Sequence, residues 1–264
     1  MLPAVIAELW MFSEPHPTDL EKVKIVAHRG AHKSSEGILE NTLPAFDRAL
    51  DNGVWGVEFD IRWTKDNVPV VHHDASTGRL FFEDIILSEV SFKELRSRVP
   101  EIPTLHEVVQ AYGKRMHLMI EIKEPLNEIH ERILSSHLEA LSPVEDFHIL
   151  SLHEDLLRGI RFVPYETFIL VSTWGLGKIS TQALKQSYGG IAGYYGFFTK
   201  SLMTMHIQAG QGIGVGQVRS KRIFHREIRR GADWIFTNHA VQLKEYLDRL
   251  RQTRNKCLKF FVFK

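Results

Sequence analysis

The chain has 264 residues, 44% of them apolar, with 33 basic and 32 acidic side chains and a formal net charge of +1. That is enough apolar material for one large core, and the charge balance gives no electrostatic argument for a nucleic-acid or acidic-membrane partner. One cysteine, Cys257, excludes an intrachain disulfide and tilts towards a reducing, cytoplasmic setting.

The first residues, Met1–Phe12, are apolar but lack a basic leader, are interrupted by Glu8 and meet no small-residue cleavage site before Glu14. Residues 1–22 therefore read as an N-terminal arm or helix, not as a signal peptide. From there, β-rich runs are predicted at 23–28, 55–63, 117–122, 147–151, 167–172, 190–195, 213–218 and 234–237. Amphipathic stretches alternate with them at 42–52, 104–112, 127–140, 153–162, 178–187, 199–209, 220–230 and 240–251. Such alternation argues for parallel strands with helical crossovers. The count predicts an α/β fold, a (β/α)8 TIM-type barrel over residues 23–251. An open doubly wound sheet would bring a Gly-rich phosphate loop after the first strand, and none is there.

Val68–His73 breaks the alternation, because it follows 55–63 too closely for a parallel crossover. Thr64–Asn67 is turn chemistry. A β-hairpin excursion after the second strand is therefore predicted, returning His72 and His73 beside Glu58 and Asp60. Residues 252–264 form a tail ending in the greasy run Lys259–Lys264. The tail is expected to dock on the barrel; peripheral membrane contact and strand pairing are the alternatives. No run approaches the length of a membrane-spanning helix.

Glu58 and Asp60 are two apart, so a strand puts both on one face, about 7 Å apart along the chain. Val57, Phe59 and Ile61 face the other way. Two carboxylates inside a barrel are costly unless they share a cation or other partners. Glu121 lies on the next predicted strand and completes an oxygen-only set. That set suits Mg2+ or Ca2+ and not Zn2+. Lys123 shares the face of Glu121; it suits a phosphoryl oxygen or an ion pair with Glu121 or Glu124. His28 ends the first strand with an imidazole suited to proton transfer near neutral pH. Arg29 suits a phosphate clamp if the turn at Gly30 swings it inward. Strand alternation sends only one of His72 and His73 inward and does not choose between them. Thr42 or Asn41 suits the N-cap of the next helix, and Glu40 suits a brace behind the site. Most of the 14 histidines, His130, His137 and His225 among them, sit on polar stretches and read as surface.

These fragments occur in an order that resembles the glycerophosphodiester phosphodiesterase family, a branch of the phospholipase-C-like phosphodiesterase barrels. They are His28-Arg29-Gly30, Glu40-Asn41-Thr42 with Ala45-Phe46, Glu58-x-Asp60, Thr64-Lys65-Asp66, Val70-Val71-x-His73-Asp74, Ile102-Pro103-Thr104-Leu105 and Glu121-Ile122-Lys123. The likeness is strong over 23–123 and weaker at Ser151-Leu152-His153 and Gly231–Thr237. It implies hydrolysis of glycerophosphodiesters to sn-glycerol 3-phosphate and an alcohol, within glycerol and lipid metabolism. It implies one divalent cation, Mg2+ or Ca2+, on Glu58, Asp60 and Glu121. By position it implies an acid/base pair of His28 and His73, and phosphate contacts from Arg29 and Lys123.

The sequence departs from the family pattern at Leu39, where Pro is usual, and at Asn67, where Gly is common. Gly214–Arg219 stands where many members carry a Trp-Thr-Val-Asn run, so an aromatic pocket wall is missing or supplied elsewhere, for instance by Trp174, Tyr194 or Tyr195. Thr237-Asn238-His239 stands where Thr-Asp-x-Pro is usual. The segment from Asp74 to Ile102 is too short for the helical insertion of larger members. Two other functions compete: a lysophospholipase D-type activity using the same residues, and a non-catalytic barrel that binds a phosphodiester.

Overall fold

The computed structural model describes the backbone of residues 17–262 and the side chains of 20–253. Residues 1–16 of the arm and the side chains of 254–264 in the tail lie outside the described residues. A short helix, α1 (Pro17–Lys22), leads into β1 (Lys24–His28). Then follow α2 (Leu43–Asp51), β2 (Gly56–Trp63), β3 (Pro69–Val71), α3 (Phe92–Arg98), α4 (Leu105–Tyr112) and β4 (His117–Ile122). The second half runs α5 (Glu128–Leu138), β5 (Phe147–Ser151), α6 (Glu154–Leu157), β6 (Phe168–Ser172), α7 (Gly177–Gln186) and β7 (Gly190–Tyr194). It closes with α8 (Lys200–Gln208), β8 (Gly212–Gly216), α9 (Lys221–Arg230), β9 (Trp234–Thr237) and α10 (Ala240–Val262).

Eight of the strands pair in parallel in the order β1-β9-β8-β7-β6-β5-β4-β2, and β1 pairs β2 to close the barrel. This is the predicted TIM-type barrel. β3 pairs β2 antiparallel, Ile61 opposite Val71, and is the predicted hairpin return. Asn67 turns that hairpin with φ +60, the left-handed region that Asn tolerates.

Strand alternation sorts two cores. Val57, Phe59 and Ile61 point outwards with Leu118, Ile120 and Ile122 into the layer beneath the helices. Val26, Met119, Leu150, Ile169, Ala192 and Phe236 point inwards and fill the barrel. At the N-terminal ends of the strands lies a floor of rings. His117 Nδ1 donates to the Glu145 carbonyl at 2.9 Å, and its Nε2 accepts from His148 Nδ1 at 2.8 Å. Trp55 stacks on His117 at 4.2 Å, and Trp234 meets His148 edge-on at 5.2 Å. Burial holds both imidazoles neutral, pulling His117 down to about 4 and His148 to about 3.

Three local differences from the expected elements have physical causes. The helix expected over 153–162 is only Glu154–Leu157, since Gly159 lies just beyond it and Glu154 is buried, accepting from Arg158 at 3.0 Å. The seventh barrel strand, β8, ends at Gly216 rather than 218. The Asp74–Ile102 segment carries a helix no expectation covered, α3, opened by Ser91, whose side chain accepts from Glu94 N at 3.3 Å. It rests on a small separate core of Val70, Ile85, Leu87, Leu95, Val99 and Ile102.

Candidate active site

Strand register assembles the C-terminal mouth. His28 stands opposite Glu58 across β1 and β2, and Asp60 stands opposite Glu121 across β2 and β4. Inward-facing carboxylates on neighbouring strands must then converge. Oxygens of Glu58, Asp60 and Glu121 lie within 4.8 Å of one another, and all three residues are buried.

The cluster lacks donors for its charge. Glu58 Oε2 accepts from the Arg29 amide at 3.0 Å, but Glu58 Oε1 and Asp60 Oδ1 are buried with no hydrogen-bond partner among the described residues. Burial, with Asp60 and Glu121 nearby, drives Glu58 well above the ordinary carboxylate range. Burial and Asp60 raise Glu121 too. Burial also opposes ionisation of Asp60, but the Lys123 and Arg29 charges outweigh it and keep its pKa low. Three buried carboxylates with two orphaned oxygens are the donor set that a hard divalent cation satisfies. The residues present fit such an ion.

The turn after β1 directs Arg29 as the clamp requires. Arg29 has φ +56 and Gly30 φ +80. A Cβ at Gly30 would meet Ala45 Cβ and Phe46 Cδ1 at 2.8 Å, so only glycine fits. The Arg29 guanidinium donates to Glu40 Oε1 at 2.8 Å and lies 3.6 Å from Asp60 Oδ2. Lys123 Nζ donates to Glu121 Oε1 at 2.8 Å and lies 3.3 Å from Asp60 Oδ1. Both expected phosphate contacts thus border the acidic cluster, and Lys123 also makes the ion pair with Glu121 that its position allowed.

His28 Nδ1 donates to Asn238 Oδ1 at 2.8 Å, which leaves Nε2 as the free base, 3.9 Å from Glu58 Oε2. Burial and the Arg29 charge pull His28 down to about 4. On the hairpin return, His73 borders the same cavity, while His72 is 1% exposed and bonds the Ser76 carbonyl at 3.1 Å. His73 Nδ1 donates to Asp74 Oδ1 at 2.7 Å. Burial lowers the His73 pKa, and Asp60 and Asp74 resist it.

The cavity measures about 520 Å³ and has two unlike walls. His28, Arg29, Glu58, His73, Glu121 and Lys123 form one. Leu152, Val171, Trp174, Tyr194 and Phe197 belong to the other. Trp174 is 87% exposed and Tyr194 44%. Of the three aromatic residues considered for that wall, Trp174 and Tyr194 line the cavity, beside Phe197, and Tyr195 does not.

Residues 28–152 match the model of the Glycerophosphoryl diester phosphodiesterase family. A glycerophosphodiester phosphodiesterase of Caldanaerobacter subterraneus is 28% identical over 233 residues, covering 82% of this chain and 94% of that one. The solved glycerophosphodiester phosphodiesterase of Thermotoga maritima superposes with a TM-score of 0.71 at 27% identity, over 85% of this chain and 98% of its own. The chain belongs to the glycerophosphoryl diester phosphodiesterase family. It is a phosphoric diester hydrolase by class. Human glycerophosphodiester phosphodiesterase 1 is 33% identical over a shorter stretch, 45% of this chain and 39% of that one. Among the described residues of this phosphodiesterase, no helix is long and apolar enough to cross a membrane.

Sequence reasoning missed three side chains of the site. Asn41, considered only as a cap, donates from Nδ2 to Asp60 Oδ2 at 2.9 Å. Thr42 takes the N-cap position of α2 without capping it, and bonds the Leu39 carbonyl at 2.7 Å instead. Asn238, noted only as a departure, orients His28. Arg79 carried no signal; it donates to Glu40 Oε1 at 2.6 Å and to Asp74 Oδ2. Glu40, held between Arg79 and Arg29, has its pKa brought down to about 2 against the effect of burial.

Proposed function

We propose that this enzyme cleaves glycerophosphodiesters to sn-glycerol 3-phosphate and an alcohol by two-histidine acid/base catalysis. One divalent cation, Mg2+ or Ca2+, would be held by Glu58, Asp60 and Glu121. The catalytic unit is the barrel at 23–251. The observation that carries the reading is the register that stacks His28 on Glu58 and Asp60 on Glu121, with His73 returned to the same cavity by the hairpin.

A divalent cation bound there supplies Lewis-acid polarisation of a phosphoryl oxygen and lowers the pKa of a bound hydroxyl. Arg29 and Lys123 hold the phosphate and offset its developing charge. Each imidazole commits Nδ1–H to a fixed acceptor, Asn238 for His28 and Asp74 for His73, so Nε2 is the atom that exchanges protons. One histidine takes the proton of the glycerol 2-hydroxyl as its oxygen attacks phosphorus. The other, protonated, gives its proton to the departing alcohol. A cyclic 1,2-phosphate results, and water opens it with the histidines in exchanged roles.

The apolar wall favours a second reading, the lysophospholipase D-type reaction, in which that wall receives an acyl chain. Its aliphatic and aromatic side chains offer a glycerophosphodiester headgroup few hydrogen bonds. Phosphorus NMR of products from glycerophosphocholine and lysophosphatidylcholine, with Mg2+ and Ca2+ in turn, separates the two. Release of sn-glycerol 3-phosphate as the faster reaction supports the first reading. Faster release of lysophosphatidic or cyclic phosphatidic acid supports the second, and turnover of neither diester rejects both.

A further inference from the structure

Arg79 links two segments of the cavity's polar wall. Its guanidinium donates to Asp74, the partner of His73, and to Glu40, the partner of Arg29. An unbroken chain of charge-assisted hydrogen bonds thus runs from the imidazole at the hairpin return to the guanidinium at the end of β1. These two segments make no strand pairing with each other.

The loop that presents Arg79 is braced. Thr77 is fully buried; its hydroxyl donates to the Glu83 carbonyl at 2.5 Å and accepts from the Ile85 amide at 2.9 Å. The Gly78 amide donates to Asp84 at 3.0 Å, and Phe81 packs 6.0 Å from the ring of His72. A flexible surface arginine contributes little through ion pairs, but a fork held between two fixed carboxylates restricts the geometry of both.

We infer that Arg79 is a positioning residue, which sets the His73 ring through Asp74 and the Arg29 guanidinium through Glu40, so that proton transfer and phosphate binding share one alignment. The inference rests on the roles proposed for His73 and Arg29. Neither carboxylate alone can supply this coupling: Asp74 reaches only the histidine side and Glu40 only the arginine side. A lysine at 79 has no planar fork and so satisfies one partner poorly.

The test is steady-state kinetics of the metal-loaded enzyme for Arg79→Gln, Arg79→Lys, Asp74→Asn and the double variant R79Q/D74N, with thermal melts of each. We expect Arg79→Gln to lower kcat by about tenfold to a hundredfold, with a smaller change in KM. Arg79→Lys should recover part of that loss. R79Q/D74N should lose less than the product of the two single losses, because both substitutions cut the arm that runs through Asp74. Normal kcat in Arg79→Gln overturns the inference. So does a double-variant loss equal to the product of the single losses, or a loss that tracks only a lower melting temperature. His73→Ala, measured alongside, keeps the two claims apart. Near-normal turnover there rejects the two-histidine reading, whereas an inactive His73→Ala beside a fully active Arg79→Gln rejects only the role of Arg79.

Discussion

The barrel carries a pair of inward histidines at each end, and the two pairs differ in what surrounds them. At the floor, His117 and His148 bond each other at 2.8 Å, and Trp55 and Trp234 cover them. The two rings hold each other and His117 also holds the Glu145 carbonyl, and among the described residues the cluster of three carboxylates lies at the opposite end. At the mouth, His28 and His73 each bond a side chain through Nδ1, beside three buried carboxylates of which two, Glu58 and Asp60, have an oxygen without a hydrogen-bond partner among the described residues. Burial lowers the pKa of all four imidazoles. Depressed basicity therefore does not mark the active pair. Unmet valence beside an acidic cluster does.

The sharpest break between the two ends is catalytic. His28→Ala and His73→Ala should each lower kcat by at least roughly a hundredfold with little change in thermal stability, measured by product release and by melting. His148→Ala should do the reverse. It removes a buried ring and strands His117 Nε2, costing about 2–4 kcal/mol in denaturant unfolding while kcat per folded molecule holds. Comparable loss of activity from both ends would erase the distinction.

A smaller effect tests the floor by pH. In the folded chain His117 titrates near 4 and His148 near 3, both below the ordinary value of 6.5. Between those limits the unfolded chain binds more protons than the folded one. Their contribution to stability is thus intact above about pH 6.5 and is lost as pH falls towards 4 and then 3. Each contributes at most about 1.4 kcal/mol per pH unit to that slope. Unfolding titrations from pH 7 to 4 should show a shallower acid loss in His148→Asn than in the wild-type chain. An unchanged slope would mean that the floor does not exclude protons.

The two ends were not equally legible in the sequence. Glu58, Asp60, Glu121 and His28 could be placed because period-two alternation sends a strand residue to a known face, and apolar neighbours such as Val57 and Phe59 declare the other face. The hairpin return followed from chain length alone, since Thr64–Asn67 is too short to cross over. Asn238 and Arg79 stayed hidden because they sit on loops, where no periodicity fixes direction and the partner depends on closure of the barrel. The floor was hidden for a related reason. His117 and His148 begin apolar strands and look like ordinary core positions until β4 and β5 are set side by side. The 153–162 stretch misled because its apolar spacing is helical, yet Gly159 and the buried Glu154 tie it down after one turn. Ser91-x-x-Glu94, an N-terminal helix signal, was there to be read and announces α3.

The central claim is that the mouth, unlike the floor, is completed by a cation. Calorimetric titration of metal-stripped protein with Mg2+ and with Ca2+, in the wild type and in Glu58→Gln, Glu121→Gln and His148→Asn, tests it most directly. The account predicts one site per chain in the wild type and in His148→Asn, and at least a tenfold loss of affinity in either glutamine variant. No binding in the wild type, or binding that survives both glutamine substitutions unchanged, would contradict it.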